Sequence, residues 1–501
     1  MKQHHADIVI VGAGAAGLSC ALSALEAGST VINIERAPRD MMGGNTRWTE
    51  ANMLLKGGPD QEGFELNDMF YMSYGINKGF HVDPDIEAET VSDYENWSQL
   101  AKTAQFVDPE LLGSFAEAVA PTLEWLTERG IKIDPKQAAP LPFCIESIPY
   151  VQIYGGGLAI VESLTPRIEE KGGQFLFETT ANKLIEENGT VVGVRCSGKD
   201  NETIQVYGKV VLASGGFEGN PQMLVQYGGK NNRYLRPVAK GGHYNKGEGL
   251  RMALELNAAA AGDWSDCHQQ VVDPRTGLQE AMANIWPYGV MVNQRGERFI
   301  NEAPNAIFEW QEAPPEAIME QPGGIAYTIY DEKLASDKDC NWKYGIRTDK
   351  PPIKADSIEE LAAQLMIPPA KLKQTINEYN RACVNADKVK RGGVLGELLV
   401  KGHLDGATTE GINPPKENFA APIDSPPYYC YPAISSICFT HGGLRTNGQA
   451  QVVNASGEVI PGLYAAGETV GMHYGNYTVG TSVLRGLCFG RIAGQHASKK
   501  E

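Results

Sequence analysis

Residues Val9–Gly17, read VIVGAGAAG, follow an apolar strand pattern near the amino terminus and lead straight into a helical pattern. Few backbone arrangements satisfy such a run. Gly12 permits the tight turn out of the strand, Gly14 lets backbone amides approach a pyrophosphate, and Gly17 allows the helix to pack closely on the sheet. The helix N-terminus, flanked by Ala15 and Ala16, then faces the anion. The stretch from Thr30 to Glu35 has the pattern of a second strand. Glu35 stands where a carboxylate accepts hydrogen bonds from ribose hydroxyls and repels a 2′-phosphate. Strand, glycine turn, helix and acid together point to a dinucleotide-binding unit rather than an ordinary strand–turn–helix corner.

A chain of 501 residues exceeds what one hydrophobic core organises, so two or three interleaved units are expected. A net charge of −17 argues against nucleic acid and anionic membrane surfaces, which would repel it. The polar segment Met1–Asp7 leads directly into the first strand, leaving no room for a secretion signal, and no stretch approaches the roughly 20 apolar residues of a membrane span. A cytoplasmic location is the expectation. The nine cysteines are odd in number, scattered and without a Cys-x-x-Cys pair, so neither disulfides nor a metal site is expected.

Nucleotide-binding signals gather at both ends of the chain. Gly43-Gly44-Asn45-Thr46 forms a glycine turn after the second strand, and Gly155-Gly156-Gly157 precedes a helical pattern over Leu158–Glu170. Short strands are expected at Phe175–Glu178, Lys183–Glu186 and Thr190–Cys196, with Asn188-Gly189 as a hairpin turn. The buried strand from Lys209 runs into Ser214-Gly215-Gly216. From about Gly262 to Phe439 the chain is rich in proline and charge, with one clear helical pattern over Pro369–Ala386; the polar segment Asn385–Gly406 reads as a surface connection. This stretch reads as a separate lid or cap. Near the carboxyl terminus, Val459–Glu468 combines a turn, a strand and a glycine followed by an acid, and Gly480–Gly494 reads as a helix entered through glycine and hydroxyl residues.

At these residues the chain resembles the flavoproteins of the fumarate reductase, succinate dehydrogenase and 3-ketosteroid dehydrogenase superfamily. The likeness spans nearly the whole length and includes Gly43–Thr46, Ala213–Asn220, Gly296–Glu302, Thr440–Gly443, Pro461–Glu468 and Phe489–Arg491. Gly43–Arg47, Gly262–His268 and Asn476-Tyr477 are most similar to tricarballylate dehydrogenase-like enzymes. The resemblance implies an α/β fold: a Rossmann-like FAD-binding domain of the glutathione-reductase type, residues 1–262 and 440–501, interrupted by an α+β cap over residues 263–439. It implies FAD. By motif, Gly12, Gly14, Ala16 and Gly17 would hold the pyrophosphate and Glu35 the ribose. Gly44, Asn45 and Thr46 would lie near the central flavin, Ala181 against adenine, Ser214 and Gly215 beside the dinucleotide, and Glu468 at the ribitol. Ser482 and Val483 would aim amides at the flavin edge that gains negative charge on reduction. Ala15, Arg36, Gly43, Asn220 and Gly467 complete the expected set. Relatives with covalent flavin carry a histidine in the turn that here holds Asn45 and Thr46, so non-covalent FAD is expected.

Flavin dehydrogenation beside a carbonyl needs a base, a hydride path and donors for the developing enolate. Where fumarate reductases have a carboxylate-clamping arginine, this chain has Tyr477, similar to the tyrosine that polarises a ketone in ketosteroid enzymes. The proton-donating cap arginine of fumarate reductases matches a segment near Asp331–Ala335 that has none, and the histidine before their Thr-x-Gly-Gly motif is Phe439. His268, Glu302, His441, His473 and Tyr474 are the further catalytic candidates, each weighed against a packing role. His268 suits proton transfer or a carboxylate contact. Arg298 and Arg445 read as structural ion pairs. The expected activity is desaturation α,β to a carbonyl or carboxylate of a small organic acid or cyclic ketone. The alternatives are a ketosteroid-type dehydrogenase, an enoate reductase running backwards, and a non-catalytic flavin protein. No iron–sulfur or haem motif is present, so oxygen, a quinone-linked protein or another carrier would take the electrons.

Overall fold

The computed structural model describes residues 2–58, 63–66, 108–134, 150–304, 309–337, 346–389, 406–475, 477 and 480–500. Asn476 and the greater part of the Asn385–Gly406 connection lie outside them. Its largest sheet is built on five parallel strands in the order Val459–Ala465, Thr203–Leu212, Lys2–Val11, Val31–Ile34 and Gln174–Leu176. The first strand of the chain sits at the centre. Its apolar end, Ile8 to Val11, is buried, as expected of a strand covered on both faces. Thr190–Ser197 and Thr180–Glu187 continue antiparallel from Thr203–Leu212. Asn188 and Gly189 both have positive φ, 52° and 81°, as a tight hairpin of two left-handed residues requires.

One helix–helix seam binds the two ends of the chain. The helix Ala15–Glu26 packs against Ser482–Ala497 through Gly486, Gly490 and Gly494, which recur every fourth residue on one helix face. The backbones nearly touch. A Cβ at Gly490 would stand 2.3 Å from the Ala16 carbonyl oxygen, and one at Gly494 would stand 2.4 Å from that of Cys20. Gly17 plays the same part on the sheet side, where a Cβ would stand 2.0 Å from the Gly12 carbonyl.

A second sheet draws its strands from the middle of the chain. Cys267–Val272, Tyr428–Thr440, Ile325–Asp331 and Val290–Val292 pair antiparallel in that order, and Ile353–Ala355 joins the long central strand. The helices Ile358–Leu365 and Pro369–Ala382 share its core, burying Leu361, Leu365, Leu372, Ile376 and Tyr379. The second helix ends four residues short of the expected Ala386. Cys383–Val384 leaves it to pair with Thr408–Thr409, and Asn385 turns the chain at φ 55°. A third small sheet, Gly63–Leu66, Asn52–Gly58, Tyr150–Ile153 and Ile133–Asp134, was not foreseen. It lies beside the helix Pro109–Glu128, whose Phe115 stacks on Phe489 of the carboxyl-terminal helix.

Glu302, expected among the catalytic groups, is instead part of this scaffold. Its carboxylate accepts from the Met291 N–H at 2.9 Å and pairs with Arg298 at 2.6 Å, with the two side chains 0% and 5% exposed. Arg298 also lies over the Tyr379 ring. This bidentate pair, removed from water, ties the Met291 strand to the turn that carries Arg298, and Glu302 does not line the cleft described below. No helix among the described residues is long and apolar enough to cross a membrane, and no described group of three metal-capable side chains forms.

Two stability outcomes follow. Gly490→Val forces the terminal helices apart and lowers stability by about 1–3 kcal/mol, whereas Gly113→Ala, in a helix with nothing near the added methyl, raises it by up to about 1 kcal/mol. Thermal melts of the two variants shift in opposite directions. Glu302→Ala leaves Arg298 charged and unpaired in the core at a cost of about 3–5 kcal/mol, read as a lower denaturant midpoint.

Candidate active site

Four parallel strands deliver their next residues into one cleft. Val11 leads to Gly12, Ile34 to Glu35, Leu212 to Ala213 and Ser214, and Ala465 to Gly467 and Glu468, all of which line it. This is the carboxyl edge of an open α/β sheet, where such folds place ligands. The cleft measures about 1860 Å³ with its mouth included. Its lining runs continuously from Gly12 at the nucleotide end to His268 and Tyr477 at the other.

At the nucleotide end, Gly12 turns at φ 106°, where a side chain would collide with the Ala213 carbonyl. Gly14 caps the first helix without a side chain, so its N-terminus faces the cleft bare, and the Ala15 N–H donates to Thr46 Oγ1 at 2.9 Å. Thr46 belongs to the turn Gly44–Trp48, brought close because Gly157 has no Cβ to strike the Thr46 carbonyl. The Glu35 carboxylate accepts from the backbone N–H groups of Ala13 at 2.9 Å and Ala37 at 2.8 Å. Burial pushes its pKa up while these amides hold it back. Arg36 is tethered across the rim, 2.6 Å from Glu248 and donating to the Tyr244 carbonyl. Ala181 lines the wall from the strand Thr180–Glu187. Asn220 does not line it. Its side chain caps the helix Pro221–Gly228, accepting from Gln222 and Met223 N–H, and that duty explains the residue. Gly17 likewise packs helix on sheet and does not reach the wall.

Two acids lie at the middle of the cleft, Glu468 lining it and buried Glu218 standing behind Asn45 and Asn245. Glu468 accepts from the Thr440 N–H at 2.9 Å, while Glu218 accepts from the amides of Asn45 at 2.5 Å and Asn245 at 2.6 Å. Burial, and for Glu218 the neighbouring Glu468, raise both pKa values, so the pair retains a proton well above the usual carboxylate range. Glu218 was missed by sequence reasoning. It stands directly in the Ala213–Asn220 motif, and its partner Asn45 was named.

The far end is aromatic. His268, on the strand Cys267–Val272, lies 4.5 Å from the Tyr477 ring and 5.2 Å from Phe439, while Phe439 and Tyr477 meet edge to face at 4.8 Å. His268, Phe439 and Tyr477 all line the cleft. The Tyr477 hydroxyl accepts from the N–H groups of Thr481 at 3.0 Å and Ser482 at 3.1 Å, and donates to Ser482 Oγ at 3.2 Å. It thus caps the helix Ser482–Ala497, whose Thr481 offers no side-chain cap. The Ser482 amide thus meets Tyr477 at a helix end whose Ser482 and Val483 both line the cleft.

Three catalytic candidates stand behind this wall instead of on it. His441 is 1% exposed with Nδ1 3.3 Å from Asp266 Oδ2, and His473 is fully buried 5.4 Å from it. Burial, with Arg485 and the other histidines adding to it, holds the His473 pKa well below the ordinary imidazole range, so the ring is neutral. The Tyr474 hydroxyl accepts from the Gly262 N–H at 2.8 Å, toward a separate small cavity. Each is held by its packing.

Arg347 and Glu280, unmarked by any motif, do line the cleft, together with Glu50. Arg347 Nη1 lies 2.7 Å from Glu50 and 3.4 Å from Glu280. The absence of an arginine around Asp331–Ala335 thus does not leave this end of the cleft without a cation. Arg347 reaches it through a bridge between Ala283 and Ile346 that no local pattern announces.

The bare glycine turn, the helix N-terminus and the acid at the second strand fit a dinucleotide such as FAD. The family model described as "FAD binding domain" matches residues 7–483. An NADH:acrylate oxidoreductase of Vibrio harveyi is 29% identical over 98% of this chain, which spans only half of that relative. The open conformation of a flavocytochrome c3 fumarate reductase matches with a TM-score of 0.68 at 25% identity, over 99% of this chain and 78% of that one. A 3-ketosteroid Δ4-(5α)-dehydrogenase from Rhodococcus jostii RHA1 shares the fold, with a TM-score of 0.66 at 22% identity over 100% and 98% of the two chains. With a matched region running nearly from end to end, the chain belongs to the FAD-binding-domain family of flavoproteins.

Proposed function

We propose that this chain is an FAD-dependent oxidoreductase that removes two hydrogens across the carbon–carbon bond α,β to the carbonyl of a small ketone or monocarboxylic acid. The observation that carries the reading is the Tyr477–His268–Phe439 wall facing the cleft, with Arg347 beside it already opposed by Glu50 and Glu280. A dianionic substrate meets two fixed carboxylates and one partly neutralised cation there. A neutral or singly charged carbonyl compound meets a hydroxyl, an imidazole and aromatic surface.

In this reading Gly12, Gly14 and the amino end of the first helix hold the pyrophosphate, Glu35 the ribose, and Asn45, Thr46, Ser214, Gly215, Gly467 and Glu468 the central cofactor. The bound flavin supplies the acceptor for a hydride. Tyr477 polarises the substrate carbonyl once its O–H turns from Ser482 Oγ to the substrate. Its oxygen already accepts two amide hydrogen bonds at the positive end of a helix, which strengthens its own O–H as a donor. His268 packs against that ring and orients it. The second sheet, spanning Cys267–Thr440, serves as the cap that keeps water from the reacting carbon. Non-covalent attachment accords with Asn45 and Thr46 in the turn.

The reverse reaction, reduction of an enone or enoate, is the second reading. It is favoured by the V. harveyi relative, which acts on acrylate by name, and by Arg347 at the substrate end. Anaerobic mixing decides direction and class together. Oxidised holoenzyme bleached by cyclohexanone or propionate supports dehydrogenation. Photoreduced holoenzyme reoxidised rapidly by cyclohexenone or acrylate, without bleaching in the forward direction, supports the second reading. Inertness in both directions removes the proposal. Tyr477→Phe lowers kcat/KM by about 10²–10³-fold with normal flavin content if the hydroxyl stabilises a developing oxyanion; unchanged turnover reduces that hydroxyl to a helix cap.

A further inference from the structure

One cleft-lining acid comes from a segment that no motif marks. Glu280 precedes the bridge strand at Met282 and adopts φ 46°, a left-handed conformation that a glutamate rarely takes. Two backbone bonds hold it there: its N–H donates to the Val238 carbonyl at 3.1 Å, and its carbonyl accepts from the Met282 N–H at 2.6 Å. The side chain lines the cleft and remains 25% exposed. Backbone strain maintained by surrounding bonds clusters where a side chain must be aimed.

Its neighbours come from three different elements. Arg347 Nη1 is 3.4 Å from its Oε2 and 2.7 Å from Glu50, and His268, which also contacts Tyr477, shares the same wall. We propose that Glu280 is the group that exchanges the substrate's α-proton, with Arg347 and Glu50 as fixed neighbours that set its charge; this rests on reading the cleft as a site of α,β carbon–carbon oxidation. Burial and the Glu50 charge push its pKa up to about 7, against the opposing pull of Arg347 and His268. A carboxyl poised there accepts and returns a proton at neutral pH.

The step balances without a further reactant. The Glu280 carboxylate takes H⁺ from the carbon beside the carbonyl, and the freed C–H pair becomes the second bond of the C=C. A bound flavin would supply the acceptor for the hydride, with both electrons, that leaves the neighbouring carbon. The proton on Glu280 then returns to solvent through the cleft mouth. In the opposite direction Glu280 is the proton donor, so the assignment holds for either direction of flux.

Exchange of the α-hydrogens of cyclohexanone with D₂O, followed by NMR on photoreduced holoenzyme, isolates this step because the reduced flavin accepts no hydride. The expected result is wild-type exchange that rises through a midpoint near pH 7, since the base is the deprotonated form. Glu280→Gln lowers it by at least about 10²-fold with flavin content intact, and Glu280→Asp restores part of it. Glu50→Gln moves the midpoint down by removing a negative neighbour, and Arg347→Met moves it up by removing a positive one. A purely structural Glu280 gives none of these shifts. Exchange in Glu280→Gln within threefold of wild type, or no enzyme-dependent exchange at all, overturns the assignment. Bleaching of oxidised enzyme by the same ketone reads the underlying function separately. Bleaching without Glu280-dependent exchange sinks only the base, and loss of both sinks the reading of the cleft with it.

Discussion

The near-contact of backbone on backbone between Ala15–Glu26 and Ser482–Ala497 is the constraint on which the site depends. Three glycines, spaced one turn apart, let the last helix of the chain lie directly on the first. Because both helices begin at the same cleft, their N-termini converge on it. One bears the bare glycine turn, and the other is capped by Tyr477. Separate the helices by the width of a methyl layer and the nucleotide end loses its register with the aromatic end. The strands Lys2–Val11 and Val459–Ala465, placed on either side of Thr203–Leu212, repeat the arrangement in the sheet. A function split between chain ends is thereby assembled by packing of small residues rather than by any long-range charge.

How much of this was legible in the sequence depends on whether a residue's duty is local. Gly12, Gly14 and Gly17 have duties set by their own turn, so the pattern reports them. Glu35 follows because a strand of known length carries it to the same edge. Asn188-Gly189 is a hairpin by its own backbone preference. Glu302 failed for an instructive reason. Its motif places it correctly in the chain, but whether an acid is a proton carrier or the partner of a buried arginine depends on Arg298 four residues earlier and on Met291 in a strand. Asn220 failed similarly, because a side chain following a glycine motif is also the ideal first cap of the next helix. The helix from Pro369 was read four residues too long because apolar spacing cannot anticipate that Cys383–Val384 is captured by a strand two dozen residues onward.

Glu280, Arg347 and Glu50 carried no signal whatever. They come from three segments separated by long stretches of sequence, and each lies in a region without periodicity. Only the completed fold brings them to one wall. Burial first, and the neighbouring Glu50 charge second, push the Glu280 pKa up, while Arg347 and His268 oppose them. Arg347 is closer to Glu50 than to Glu280. The same logic holds midway along the cleft, where Asn45 and Asn245 supply Glu218 with donors but no charge, and that acid too is held toward its neutral form.

The end of the second helix ties these parts together. Its first amides are donated to the Tyr477 oxygen rather than left open. One helix end cannot serve two anions in full. When negative charge grows near that end, the amides are drawn toward it and the tyrosine hydroxyl loses acceptor duty. When charge instead grows on a carbonyl touching Tyr477, the amides support the tyrosine oxygen as its proton is shared. The hydroxyl, the imidazole of His268 packed on its ring and the carboxyl of Glu280 lie along one wall. Polarisation of a carbonyl at one end of that wall acidifies the adjacent C–H toward the base at the other. On the proposed reading, activation and proton removal are coupled through the substrate itself, without a hydrogen-bond chain between the two residues.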